Sequence, residues 1–136
     1  MKIVDLIRSF FSPPKSVWVR GEDAAAQLMK KNGYKIIARN LRLKMGEIDI
    51  LCHDPATDSI ILVEVKARTH KSDATPNPES SITAAKKRKL RTLARAIMQR
   101  DDCKGKRIRI DVVAVEFAPD QIKPIAIRHY RSAVGA

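Results

Sequence analysis

No apolar run in the sequence approaches the ~20 residues that a membrane span needs. The stretch from Met1 to Arg8 interrupts its apolar residues with Asp5 and Arg8, so it lacks the continuous apolar region of a secretory signal and reads as a short amphipathic extension. Cysteine is scarce: Cys52 and Cys103 are the only two and form no C-x-x-C pair. The expectation is two reduced thiols in a cytoplasmic protein. His53, His70 and His129 are scattered without ligand spacing, which argues against zinc. There is no internal repeat. Acidic residues are also few, 15 against 27 basic ones for a net charge of +12, while 44% of residues are hydrophobic. A folded, strongly basic chain of 136 residues is one domain, expected over 16–136 after an extension at 1–15, and its favoured partner is a polyanion. With no span or anchor, that partner is nucleic acid rather than membrane.

Two short runs organise what is present, Gly46-Glu47-Ile48-Asp49-Ile50 and Val63-Glu64-Val65-Lys66. In both, β-branched and apolar residues alternate with charged ones at period two, the pattern of a strand. The intervening Asp54-Pro55-Ala56-Thr57-Asp58-Ser59 is a turn signal, so the two make a hairpin. Pairing Asp54 with Ser59 sets Ile50 opposite Val63, Ile48 opposite Val65 and Asp49 opposite Glu64. Like charges directly opposed destabilise a sheet, by about 4 kcal/mol at 4 Å and an effective dielectric near 20. Lys66, on the same face as Glu64, supplies one compensating charge. A divalent cation with hard oxygen preferences, Mg²⁺ or Mn²⁺, would supply two. Asp49, Glu64 and Lys66 therefore read either as a metal-and-water site or as a solvated hairpin face with an ordinary ion pair.

The rest of the chain surrounds this hairpin. A helix is expected from about Ser16 to Lys31, stopped by Asn32-Gly33, with an apolar stripe of Trp18, Ala25 and Met29. Glu22 stands where that stripe calls for a core side chain. Such a carboxylate is paired, bound to metal, or at the rim of the stripe in water. Residues 34–40 read as the first strand, leaving through Asn40, with 41–45 extended up to a bend at Gly46. Arg39, Arg42 and Lys44 are candidate phosphate contacts or solubilising edge charges. From Arg68 to Glu79 the polar, proline-bearing sequence predicts an irregular loop beside the site, with Arg68 as a further phosphate contact.

A second helix is expected from Ser80 or Ser81 to about Arg100, burying Ile82, Leu90, Leu93, Ala94 and Ile97. Its opposite side carries Lys87, Arg88, Arg91 and Arg95, a concentrated positive surface for nucleic acid. Lys86 occupies the inward stripe, either as a snorkelling lysine or as a second cation near a substrate phosphate. Residues 108–117 form a largely apolar strand fit for a covered position, interrupted by Asp111, which expects a basic partner. A last strand near 122–127 precedes a basic tail containing His129, Tyr130 and Arg131.

The ordered set Arg20-Gly21-Glu22-Asp23-Ala24-Ala25, Gly33-Tyr34, Arg39-Asn40, Gly46-Glu47-Ile48-Asp49-Ile50, Val63-Glu64-Val65-Lys66-Ala67-Arg68, Lys86 with Leu90 and Ala94, and Arg109-Ile110-Asp111-Val112-Val113 resembles the PD-(D/E)xK nuclease superfamily. More narrowly it is similar to the YraN family, related in pattern to archaeal Holliday-junction resolvases. The resemblance covers roughly residues 16–134. It implies an α/β, restriction-endonuclease-like single domain, a central mixed sheet flanked by helices in the order αβββαβ. It further implies Glu22, Asp49 and Glu64 around a divalent ion, Lys66 beside the attacking water, and Lys86 in place of the glutamine or lysine that some relatives carry. DNA is the favoured substrate over RNA, branched or damaged DNA included. Resolvases act on two strands as symmetric pairs, which makes a homodimer compatible with the resemblance. Ile48 stands where the superfamily's proline precedes the acid, as is usual for the YraN-like pattern, and Trp18 stands where a glycine is expected.

Overall fold

The computed structural model describes residues 16–70 and 76–135; the amphipathic extension and the centre of the expected loop lie outside them. The elements run α1 (Val17–Lys31), β1 (Lys35–Leu43), β2 (Gly46–Asp54), β3 (Ser59–Thr69), a 3₁₀ turn (Pro78–Ser81), α2 (Ala84–Ile97), β4 (Arg107–Phe117) and β5 (Pro124–Val134). One five-stranded sheet follows chain order, β1-β2-β3-β4-β5. Only β3 and β4 are parallel, joined by the crossover that contains α2, so the sheet is mixed. The order of the first six regular elements is the expected αβββαβ core.

Local chemistry sets the helix limits. Ser16 caps α1 by accepting from the Val19 N–H, and the helix ends at Asn32 before Gly33, whose φ of 90° suits a residue without Cβ. Thr83 caps α2 through the Lys86 N–H, so this helix starts later than Ser81; the residues just before it close the 3₁₀ turn instead. That turn replaces part of the irregular loop expected over 68–79, while β3 itself continues to Thr69.

Each face of the sheet has its own core. Ala25, Ala26 and Met29 of α1 pack with Ile50, Cys52, Ile61, Val63, Val65, Val113, Val115 and Phe117. Leu90, Leu93, Ala94 and Ile97 of α2 pack on the other face with Ile48, Leu51, Ile60, Leu62 and Ile110. Covering both faces is what gives β3 and β4 their nearly continuous apolar sequence. Cys52 and Cys103 are free and buried, as expected of reduced thiols.

Four expectations need correction. Trp18 is 48% exposed and does not belong to the apolar stripe of α1. Asn40 does not end the first strand: it sits inside β1 with φ 50°, a left-handed residue that Asn tolerates. β5 extends to Val134 and takes up the supposed tail, because His129 and Tyr130 pair with Val113 and Val112. The hairpin keeps its register at five pairs, from Asp54↔Ser59 to Ile50↔Val63, but the ladder stops there. Ile48 and Ile50 then join opposite cores, so the period-two alternation breaks at Asp49.

Candidate active site

The break in the ladder creates the site. Where β2 parts from β3, the N–H of Val65 loses a strand partner, and Asp49 Oδ2 accepts from it at 2.8 Å. This carboxylate is thereby held in the split between two strands instead of on a hairpin face. Burial, then repulsion from Glu64 and a hydrogen bond with it, push the Asp49 carboxyl up to about 8. The two acids are adjacent as the register required, but they meet through side chains across a gap.

Glu64 is buried, and Lys86 Nζ lies 3.1 Å from its Oε2. Lys86 thus points at the sheet from α2, as its place on the inward stripe implies. Its stem is carried by the first turn of the helix, fixed by the Thr83 cap. Lys66 follows Glu64 by two residues on the same strand, in register with Ala114, and is half-buried.

Glu22 reaches the split from α1 and is only 4% exposed. Burial raises its carboxyl, opposed by hydrogen bonds from Asn40 and Trp18. With its amide oriented to donate, Asn40 Nδ2 lies 3.0 and 3.2 Å from the two Glu22 oxygens and 3.2 Å from Glu47 Oε1. The left-handed backbone at Asn40 and the exposed Trp18 ring therefore serve this acid. Gly21 explains why the helix comes so close: a Cβ there would stand 2.4 Å from Ala67 Cβ on β3. Glu22 is near enough to raise Asp49 electrostatically. Among the described residues, however, no three His, Cys, Asp or Glu side chains form a metal-holding group.

The basic candidates separate into committed and open groups. Arg39 Nη2 is engaged with Asp23 at 2.8 Å, and Arg68 Nη1 donates to the Pro76 carbonyl at 2.5 Å. Arg91 Nε donates to the Gly135 carbonyl at 2.7 Å. Arg42 keeps a loose 3.8 Å pair with Glu47, and Lys44 is exposed in the β1–β2 turn. Lys87, Arg88 and Arg95 are exposed along α2.

Two further polar clusters are present, the first around the basic partner expected of Asp111 and the second unrecognised in the sequence. Asp111, fully buried, accepts from Arg109 Nε and Nη2 at 2.8 Å and from the Ser132 N–H at 2.9 Å, with His129 Nε2 at 2.7 Å. Burial would raise this carboxyl, but His129, Arg109 and the Ser132 N–H together hold it below the usual range. On the α2 face, Arg128 bridges Glu79 and Glu116 at 2.7 and 2.8 Å, and Tyr130 Oη donates to Glu79 at 2.7 Å. The basic partner of Asp111 was foreseeable from its charge. The Glu79 partners were not, because they lie 49 and 51 residues away.

The fold and the site define an α/β domain in which paired acids and lysines from different elements meet where two antiparallel strands part. The chain belongs to the uncharacterised protein family UPF0102, the YraN family, whose profile matches residues 21–115. It is 42% identical over 100 residues to a UPF0102 protein of Symbiobacterium thermophilum, covering 74% of this chain and 81% of that one. Identity to a UPF0102 protein of Persephonella marina is 37% over 101 residues, covering 72% and 84%. Among solved structures, an EndoMS complex with double-stranded DNA is similar at TM-score 0.42 and 17% identity over 74% of this chain. A repair endonuclease from Pyrococcus abyssi gives TM-score 0.42 and 18% identity over 79%. The chain spans 37% and 39% of those two proteins. Among the described residues no helix is long and apolar enough to cross a membrane.

Proposed function

We propose that this protein is a metal-dependent phosphodiesterase acting on DNA, branched or damaged DNA included. The observation that carries the reading is the Asp49–Glu64 pair in the strand split, with Lys86 on Glu64 and Lys66 beside it. The donor set fits a hard divalent cation: the half-buried Asp49 and the buried Glu64 carboxyls would present oxygens to Mg²⁺ or Mn²⁺, with Glu22 contributing directly or through water. When bound, the ion supplies Lewis-acid polarisation of a phosphate oxygen and a more acidic water.

The chain's own residues do the rest. The Val65 N–H orients the Asp49 carboxylate. Asn40 and Trp18 hold Glu22. Lys66 positions the attacking water or offsets charge on the phosphorane, and Lys86 holds a non-bridging oxygen once released from Glu64. Lys87, Arg88 and Arg95 add sequence-independent affinity for the phosphate backbone.

A second reading, a nucleic-acid-binding module without turnover, is favoured by the absence of a three-ligand group among the described residues and by the Lys86 contact already on Glu64. Cleavage of labelled duplex, single-stranded, flap and four-way-junction DNA with Mg²⁺ or Mn²⁺ separates the two. Products from the wild type, absent from Asp49→Ala and Lys66→Ala, support the nuclease. Salt-sensitive binding without products supports the module.

A further inference from the structure

Beside the acids, on the α2 face of the sheet, lies a groove of about 580 Å³ to which neither the sequence nor the catalytic reading assigned a role. Ile82 and Lys87 form one wall, Val112 part of the floor, and Tyr130, Arg131 and Ala133 of β5 the other side. Its position follows from register: Glu64 pairs with Val112, and Val112 pairs with Tyr130. Tyr130 therefore stands two strand spacings from Glu64, roughly 10 Å along one row of the sheet.

We infer that this groove is a subsite for one unpaired nucleotide flanking the phosphate at the Asp49–Glu64 site, its base stacked on the Tyr130 ring. The inference rests on the nucleic-acid reading of that site. The ring is 40% exposed, yet its hydroxyl is fixed by Glu79, itself clamped by two bonds from Arg128, so it is a preset platform. Arg128 donates two hydrogen bonds to the Glu79 carboxylate and shares its charge with Glu116, which offsets part of the repulsion Glu79 would exert on a phosphate. Lys87 and Arg131 provide the complementary charge on opposite sides, and Ile82 supplies apolar surface. A volume of this size lies within the range of small-ligand sites, roughly 300–1,000 Å³. A base inside a duplex has both faces covered by its neighbours and cannot stack on a side chain, so the groove selects an unpaired one.

The test is fluorescence anisotropy in chelator, using a short labelled oligothymidylate and a blunt, fully paired duplex. Tyr130→Ala is expected to weaken oligothymidylate binding about tenfold, while duplex affinity stays within about twofold. Tyr130→Phe keeps the ring but loses the Glu79 contact that fixes it, and should retain more oligothymidylate binding than Tyr130→Ala. Ala133→Phe, an exposed change at the groove wall, should reproduce the selective loss even if Tyr130→Ala fails to fold. Equal losses on both probes, or none with either Tyr130→Ala or Ala133→Phe, overturn the subsite and leave the nuclease reading standing. Wild-type binding to neither probe overturns both. Because the readout is binding without metal, absent turnover is a separate outcome.

Discussion

Lys86 Nζ and Glu64 Oε2 are 3.1 Å apart, joining the first turn of α2 to the centre of β3. The Glu64 side chain is 5% exposed and that of Lys86 33%, so removing the lysine strands a buried carboxylate while removing the acid strands a wetter amine. Lys86→Ala is expected to destabilise by about 1–3 kcal/mol, read by urea unfolding. Adding Glu64→Gln should restore most of that loss, since the abandoned charge is gone. A double variant no more stable than Lys86→Ala would show that the lysine stem, not the pair, carries the effect.

Gly21 and Ala67 make the second coupled pair. An added methyl at Gly21 meets Ala67 Cβ at 2.4 Å, and neither α1 backbone nor β3 can yield cheaply. Gly21→Ala should lower stability by about 1–3 kcal/mol, and Gly21→Ala with Ala67→Gly should recover at least half. Thermal unfolding of the three variants decides it; full destabilisation in the double variant would locate the clash elsewhere.

These pairs show what the chain made readable. Glu22 and Lys86 stand out as charges where a helical stripe calls for an apolar side chain, and Asp49 and Glu64 as like charges that the hairpin register sets opposite one another, signals that need no tertiary information. The hairpin register followed from the turn, and five of its pairs are present. The split at Asp49 was not legible, because no local pattern marks where the ladder ends and Asp49 Oδ2 takes the Val65 N–H in place of a strand partner. The same limit applies to Trp18: its spacing put it in the stripe, whereas the structure leaves it 48% exposed. Long-range polar partners leave no periodic trace, so the Glu79–Arg128–Tyr130 group appeared only in three dimensions.

Glu79 ties the 3₁₀ turn to β5 and should make stability fall in acid. Hydrogen bonds from Arg128 first, then from Tyr130 against an opposing burial effect, bring its carboxyl down to about 2. A group with a lowered folded pKa stabilises above its unfolded pKa, near 4.3, and loses that contribution as pH falls toward the folded value. Glu79→Gln is expected to cost about 1–3 kcal/mol at pH 7, discounted for partial exposure. The gap from wild type should narrow between about pH 4.5 and 2 in chemical unfolding. A gap independent of pH across that window would assign the loss to packing.

The arginines of α2 have unequal freedom, and salt dependence should report it. Arg88 and Arg95 are exposed, whereas Arg91 Nε is bound to the Gly135 carbonyl and is half-buried. Each side chain that neutralises a duplex phosphate contributes about 0.9 to the slope of log K against log salt concentration. Arg88→Ala with Arg95→Ala should therefore reduce the magnitude of that slope by about 2 with little change in unfolding free energy. Arg91→Ala should change the slope less and stability more, because it releases the carboxyl-terminal end of β5. Titration of a labelled duplex across a salt series measures the first effect and urea unfolding the second. A slope unchanged in the Arg88, Arg95 double variant would place the duplex on another face of the protein.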